Sequence, residues 1–266
     1  MTKGFSFLAA ALLTATPAAA EIPASVASAE LLPGWREASG EHVAAIRISL
    51  APGWKTYWRA PGDAGIPPHF DWSGSRNLAG WSPVFPVPHV FHQNGVRSVG
   101  YSGDVVIPIR VTPADASAPV SLGGRLEIGV CEEVCIPVSF DIAGQLPVDG
   151  VHDARIGAAL DHQPIPAAAA GVAGVSCSVE PIADGIRLTA AIDMPPISVE
   201  EVAVLELPDP AIWISEAEMR RDGGTLTAVT EMVPPSGKPF IVDRSEVRIT
   251  VLADGRGVDI RGCTGR

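Results

Sequence analysis

Arg125-Leu126-Glu127-Ile128-Gly129-Val130-Cys131-Glu132-Glu133-Val134-Cys135-Ile136-Pro137-Val138-Ser139-Phe140-Asp141-Ile142 is the stretch on which the fold reading turns. Residues 125–130 alternate polar and apolar, the period of a strand with one buried face. Two cysteines four positions apart follow. On one continuous strand they would sit about 13 Å apart, beyond the reach of a disulfide. Val130, Val134, Ile136 and Pro137 resist a helix. A hairpin satisfies both constraints: residues 126–131 run up, Glu132-Glu133-Val134 turn, and residues 135–142 run down. Cross-strand neighbours then have Cβ atoms about 4.5–5.5 Å apart, close enough to bridge.

Outward from this hairpin the text stays strand-like. Residues 42–50 partly alternate, and Val105-Val106-Ile107-Pro108-Ile109-Arg110-Val111 is a β-branched run whose proline predicts an edge strand or a bulge. Between them, residues 54–101 are crowded with Pro, Gly and aromatic side chains and predict a long functional loop region without regular elements. Residues 151–160 are helix-compatible and stop before Pro164 and Pro166, and Ala167 to Ala170 form a small-residue linker. Beyond residue 172 short strand-like runs return, such as Ile186-Arg187-Leu188-Thr189-Ala190-Ala191-Ile192 and Ser245-Glu246-Val247-Arg248-Ile249-Thr250-Val251-Leu252. Asp184-Gly185, Asp222-Gly223 and Asp254-Gly255 supply the turns. The expected chain is all-β: a signal over residues 1–20, a β-sandwich over 21–147, a short helical linker over 148–170, and a second, smaller β-sandwich over 171–266.

Composition narrows the function. Among 266 residues, 47% hydrophobic and 18% charged residues exclude a disordered polyelectrolyte. With 27 Gly and 25 Pro but no G-X-Y period, collagen is excluded and a helical bundle disfavoured. The net charge of −11 argues against nucleic acid or an anionic membrane surface as partner. Lys3, the apolar run from Phe5 to Thr14 and Ala18-Ala19-Ala20 before Glu21 read as a secretory signal, which places the mature chain in a periplasm. No later window is long and apolar enough to span a bilayer, so a mature chain without a membrane span is expected. Disulfides persist in such a compartment.

The four cysteines are Cys131, Cys135, Cys177 and Cys263, and three pairings are possible. Sequence separation and domain assignment favour Cys131 with Cys135 and Cys177 with Cys263. The second bond closes a loop of about ninety residues, worth about 4–5 kcal/mol in the chain-entropy model, and reads as a structural disulfide. The first closes five residues and is worth about 2 kcal/mol. A short bond at a hairpin tip is accessible, and such bonds belong to the labile or catalytic class. Glu132 and Glu133 disfavour a thiolate beside them. From the residues alone, redox exchange, a staple and ligation of a soft ion such as Cu(I), with His89 or His92 in support, all remain open. The six histidines are scattered without ligand spacing, so no metal site or cofactor is expected. No G-x-S-x-G, Walker A or G-x-G-x-x-G pattern occurs.

Trp54-Lys55-Thr56-Tyr57-Trp58-Arg59-Ala60-Pro61-Gly62-Asp63-Ala64-Gly65-Ile66-Pro67-Pro68, then Gly100-Tyr101, then the segment from Cys131 to Pro137, together resemble the amino-terminal periplasmic domain of DsbD. The variants in copper-tolerance reductases of the ScsB type look most similar. The resemblance covers residues 30–147. It implies an immunoglobulin-like sandwich whose cysteine pair relays electrons, here Cys131 and Cys135, with Cys135 the sulfur that bonds the partner. Tyr57 and Trp58 match the aromatic positions beside the pair, and residues 92–101 match the family's cap loop, which ends here at Tyr101. The cysteine spacing is shorter than in the best-known members, and the cap's aromatic pair is absent. Asp63 reads as a turn residue or as a neighbour of the cysteines. The implied partners are periplasmic thioredoxin-like thiol proteins and a separate membrane electron donor, because neither a membrane conduit nor a thioredoxin-like C-x-x-C is found in the sequence. The expected function is thiol–disulfide interchange. The alternatives are a copper-binding or copper-tolerance accessory protein and a structural β-sandwich interaction module.

Overall fold

The computed structural model describes residues 26–62, 65–93 and 95–265. The expected signal over residues 1–20, and Asp63, lie outside them. The chain is all-β and immunoglobulin-like in architecture, with one helix among the described residues. Ten strands come first: β1 (Ala27–Arg36), β2 (His42–Leu50), β3 (Lys55–Tyr57), β4 (His69–Asp71), β5 (Leu78–Pro83), β6 (His89–Gln93), β7 (Val96–Ser102), β8 (Asp104–Pro113), β9 (Val120–Cys131) and β10 (Cys135–Leu146). They form one sheet in the order β1-β2-β8-β5 and another in the order β10-β9-β3-β7-β6, with β4 also on β9. Inward-facing Ile46, Ile48, Ile107, Ile109, Leu122, Leu126 and Ile128 fill the space between the sheets. Burying a side chain of this size contributes about 1.5–3 kcal/mol.

Two expectations need correction here. The region 54–101 is not free of regular elements, since β3 to β7 all lie within it. These strands are only 3 to 7 residues long; the prolines sit at their ends or between them, and Gly80 and Gly100 are accommodated within β5 and β7, the first at a register shift. The Pro108 run is not an edge strand either, because β8 pairs with β2 on one side and β5 on the other. The Pro108 carbonyl accepts from Val84 N–H at 2.8 Å, one residue beyond the end of β5. The nitrogen of Pro108 points to that same side, so its missing donor falls where β5 has already stopped.

The helix α1 (Ala154–Asp161) is capped by Asp153, whose carboxylate accepts from the Arg155 backbone N–H at 2.9 Å. It does more than link. Its Ile156 is fully buried with Leu32, Val43 and Ala45 on the outer face of the first sheet, which is why the first half of β2 is buried on both faces.

The second set of strands comprises β11 (Ile165–Pro166), β12 (Gly174–Pro181), β13 (Ile186–Asp193), β14 (Val202–Glu206), β15 (Trp213–Ile214), β16 (Glu218–Asp222), β17 (Thr225–Val233), β18 (Arg248–Ala253), β19 (Arg256–Arg261) and β20 (Thr264–Gly265). They form two more sheets, β11-β19-β18-β14 and β15-β17-β13-β12-β20, around a separate core that includes Leu188, Ile192, Met232, Val251 and Ile260. Cys177 on β12 is bonded to Cys263, which precedes β20, across a Cα separation of 5.7 Å. The bond ties the first long strand of this sandwich to its last.

The two sandwiches touch through specific groups. Leu252 of β18 is buried in the core of the first, while the end of α1 is tied to the first sandwich by the Val87 N–H, which donates to the His162 carbonyl at 2.8 Å. The Arg59 guanidinium makes a bidentate pair with Glu206, Nε to Oε1 at 2.9 Å and Nη2 to Oε2 at 2.8 Å, and also donates to Thr250 Oγ1 at 3.1 Å. Burial lowers the Arg59 pKa and the Glu206 carboxylate opposes that, so the charge is kept by its partner.

Candidate functional site

Strands β9 and β10 form the hairpin read from the sequence, in a register that sets Cys131 directly opposite Cys135 and Val130 opposite Ile136. Glu132, Glu133 and Val134 make the turn, and the disulfide closes it with a Cα separation of 4.2 Å, close to that of a narrow antiparallel pair. The two sulfurs differ in environment. Cys131 is 1% exposed although it follows the inward-facing Val130 and so lies on the outer face of β9 with Gly129, whereas Cys135 opens the outer edge strand and is exposed. Val134 at the tip is 70% exposed, and both glutamates face solvent. An approaching protein meets Cys135 first.

Tyr57 explains why the buried sulfur stays buried. Strand β3 lies beside β9 with Lys55 opposite Cys131 and Thr56 opposite Val130, so the next residue falls level with Gly129. Tyr57 is buried, and its ring stands in a slot between two glycines. A Cβ on Gly129 would come within 3.1 Å of the ring and 2.7 Å of Ile66, and one on Gly65 within 2.8 Å of the ring. From that slot the Tyr57 hydroxyl lies 2.8 Å from Cys131 Sγ and 3.1 Å from Cys135 Sγ. Bonded sulfurs carry no hydrogen, so the phenolic O–H is the donor to them. Burial raises the Tyr57 pKa, which keeps that proton in place at neutral pH.

The neighbours of Tyr57 have other tasks. Thr56 points to the opposite face and donates from Oγ1 to the Gly129 carbonyl at 2.8 Å, locking β3 to β9. Trp58 is fully buried in the core, with the Arg59 guanidinium 3.7 Å above its ring, so it meets no partner at the surface. Tyr101 is 4% exposed, donates to the Pro86 carbonyl at 2.8 Å and has its pKa pushed well up by burial. It belongs to the core beneath the hairpin, not to the rim of the disulfide.

The residues expected to form a cap are the β6–β7 hairpin. Its Gln93 donates from Nε2 to the Glu132 carbonyl at 3.3 Å and accepts from Lys55 Nζ at 2.8 Å, while the Lys55 ammonium lies 5.3 Å from the centre of the Phe91 ring. A surface hollow lined by Trp54, Lys55, Phe91, Gln93 and Glu132 runs beside the cysteine turn. Sequence reading missed Gln93, because an exposed glutamine in an irregular-looking stretch carries no signal until the hairpin folds back on the turn. Among the described residues no group of three or more His, Cys, Asp or Glu converges to hold a metal ion, and His89 and His92 are both exposed on β6.

Residues 28–146 match the family model described as thiol:disulfide interchange protein DsbD, N-terminal. The fold is similar to the crystal structure of the N-terminal periplasmic domain of ScsB from Proteus mirabilis, with a TM-score of 0.64 and 22% sequence identity over 90% of this chain and 92% of that one. No curated protein matches the sequence. Among the described residues no helix is long and apolar enough to cross a membrane.

Proposed function

Since residues 28–146 form a domain of the DsbD N-terminal family, we propose that this protein is an extracytoplasmic thiol–disulfide interchange protein working through Cys131 and Cys135. The observation that carries the reading is the asymmetry of the pair: one sulfur exposed at a hairpin tip, the other buried under a tyrosine hydroxyl that touches both. Its partners are thioredoxin-like thiol proteins of the periplasm, one of them fed by a separate membrane electron donor.

Reduction begins with a partner thiolate attacking Cys135 Sγ. The Cys131–Cys135 bond breaks, a mixed disulfide forms, and Cys131 leaves as a thiolate. The Tyr57 O–H, already 2.8 Å from that sulfur, is placed to stabilise the developing charge, where Glu132 and Glu133 alone would oppose it. The partner's second thiolate then attacks its own mixed-disulfide sulfur, which releases Cys135. Two electrons have moved to the chain and the partner is left with a disulfide. The reverse sequence reduces an acceptor.

Tyr57→Phe keeps the ring in its slot and removes the hydroxyl. Stopped-flow reduction by dithiothreitol should slow about tenfold, the value of one hydrogen bond to a developing charge. The decisive measurement is the reduction potential of the pair in glutathione and dithiothreitol buffers, read by mass spectrometry of alkylated thiols. A value well above about −300 mV supports interchange, and one below it marks a staple and ends this reading. Cys177 is fully buried and Cys263 half-buried, so the Cys177–Cys263 bond should be reduced later in the titration than the Cys131–Cys135 bond.

A further inference from the structure

The second sandwich reaches the β6–β7 hairpin beside the cysteine turn through the carboxylate of Glu216. Glu216, between β15 and β16, accepts from the Arg97 backbone N–H at 3.2 Å through Oε1, and its Oε2 lies 3.4 Å from Arg97 Nε. Arg97 belongs to β7, whose pairing with β3 covers only Gly100, Tyr101 and Ser102. Past that point the chain turns away, and the Pro61 carbonyl takes the Val99 N–H at 2.9 Å. The Arg97 N–H therefore has no strand to donate to, and Glu216 supplies its acceptor from the other sandwich. On the partner strand of the same hairpin, Gln93 holds the Glu132 carbonyl at 3.3 Å. The hairpin is pinned by the second sandwich on one side and grips the three-residue bridge between the cysteines on the other. A cavity of about 400 Å³ lined by Pro61, Arg97, Trp213 and Glu216 adjoins the pin.

We infer that Glu216 is a positioning residue for the Cys131–Cys135 pair: the second sandwich, through Arg97 and Gln93, holds the bridge in the shape that keeps the two sulfurs at bonding distance. This rests on the interchange reading above. Closing a disulfide depends on how often its two thiols meet, and a bridge fixed at Glu132 raises that frequency. Releasing the pin therefore favours the reduced form and speeds opening of the bond. The electron count is unaltered, with dithiothreitol giving up two electrons and leaving as its cyclic disulfide.

The test uses the whole protein. Glu216→Ala should be reduced by dithiothreitol roughly three- to tenfold faster than wild type, with a matching shift in the glutathione equilibrium of about 15–30 mV. Glu216→Gln, which keeps an acceptor for the Arg97 N–H, should recover part of the difference. Gln93→Ala should reproduce the effect, and the double variant should add nothing further, since both substitutions cut one chain of contacts. Arg261→Ala, which breaks an exposed ion pair with Asp259 in the second sandwich, serves as the control for general loosening and should leave rate and equilibrium unchanged. Hydrogen exchange at residues 96–99 should quicken in Glu216→Ala. Unchanged rate and equilibrium in that variant overturn the inference, whether or not exchange quickens, and so do additive effects in the double variant. A wild-type Cys131–Cys135 bond that dithiothreitol cannot open is a different result, because it removes the interchange reading itself.

Discussion

Cys131→Ser protein should capture a thiol partner through Cys135 and be unable to resolve the complex from its own side. The remaining sulfur is the exposed one at the start of β10, next to a tip residue that is 70% exposed, so an incoming disulfide reaches it without rearrangement. With Cys131 gone, this chain has no thiol to resolve the mixed disulfide and only the partner's own second thiol can reverse it, so more of the complex accumulates. Cys135→Ser should behave in the opposite way. Its surviving Cys131 is 1% exposed and lies under the Tyr57 hydroxyl, so capture requires the tyrosine slot or the turn to open first. Non-reducing gels after mixing each reduced variant with an oxidised periplasmic thioredoxin-like protein should show at least tenfold more covalent complex for Cys131→Ser, the ratio that about 1.4 kcal/mol of opening free energy would produce. Equal trapping by both variants would show that burial does not select the attacked sulfur.

Removing the other bond should have the larger effect on stability. Replacing Cys177 and Cys263 together by alanine frees a loop with a sequence separation of 86 and should lower stability by about 4–5 kcal/mol, against about 2 kcal/mol for the five-residue loop of Cys131 and Cys135. Denaturant unfolding followed by tryptophan fluorescence and circular dichroism checks this. A domain's net stability is typically about 5–15 kcal/mol, so loss of the staple brings the second sandwich near its threshold, whereas loss of the short bond leaves the first intact. A smaller loss at Cys177–Cys263 than at Cys131–Cys135 would contradict the assignment of the two roles.

The legible parts of this molecule were those set by local chemistry. Alternation over residues 125–130 and a cysteine spacing that a straight strand cannot bridge fix the hairpin and the register of the pair, because both constraints operate within eighteen residues. The motif around Tyr57 carries the family, and the structure puts that side chain on both sulfurs. Trp58 and Tyr101 share the same motif yet face the core, since adjacent positions of a strand point to opposite sides and a motif does not say which side is which. Strands β3 to β7 were hidden by their brevity, because three to seven residues bounded by proline and glycine leave no period to read. Pro108 misled for a related reason: whether a missing donor matters depends on where the neighbouring strand ends. Glu216 and Glu206 were beyond reach altogether, as their partners Arg97 and Arg59 lie 119 and 147 positions away.

The Arg59–Glu206 pair and Leu252 have a consequence for how this protein can be taken apart. A fragment that stops near residue 147 would expose the Arg59 guanidinium to water in place of Glu206 and uncover the apolar floor that Leu252 now seals. Such a fragment starts from a surface shaped by its missing half, so cutting the chain there alters the first sandwich as well as removing the second.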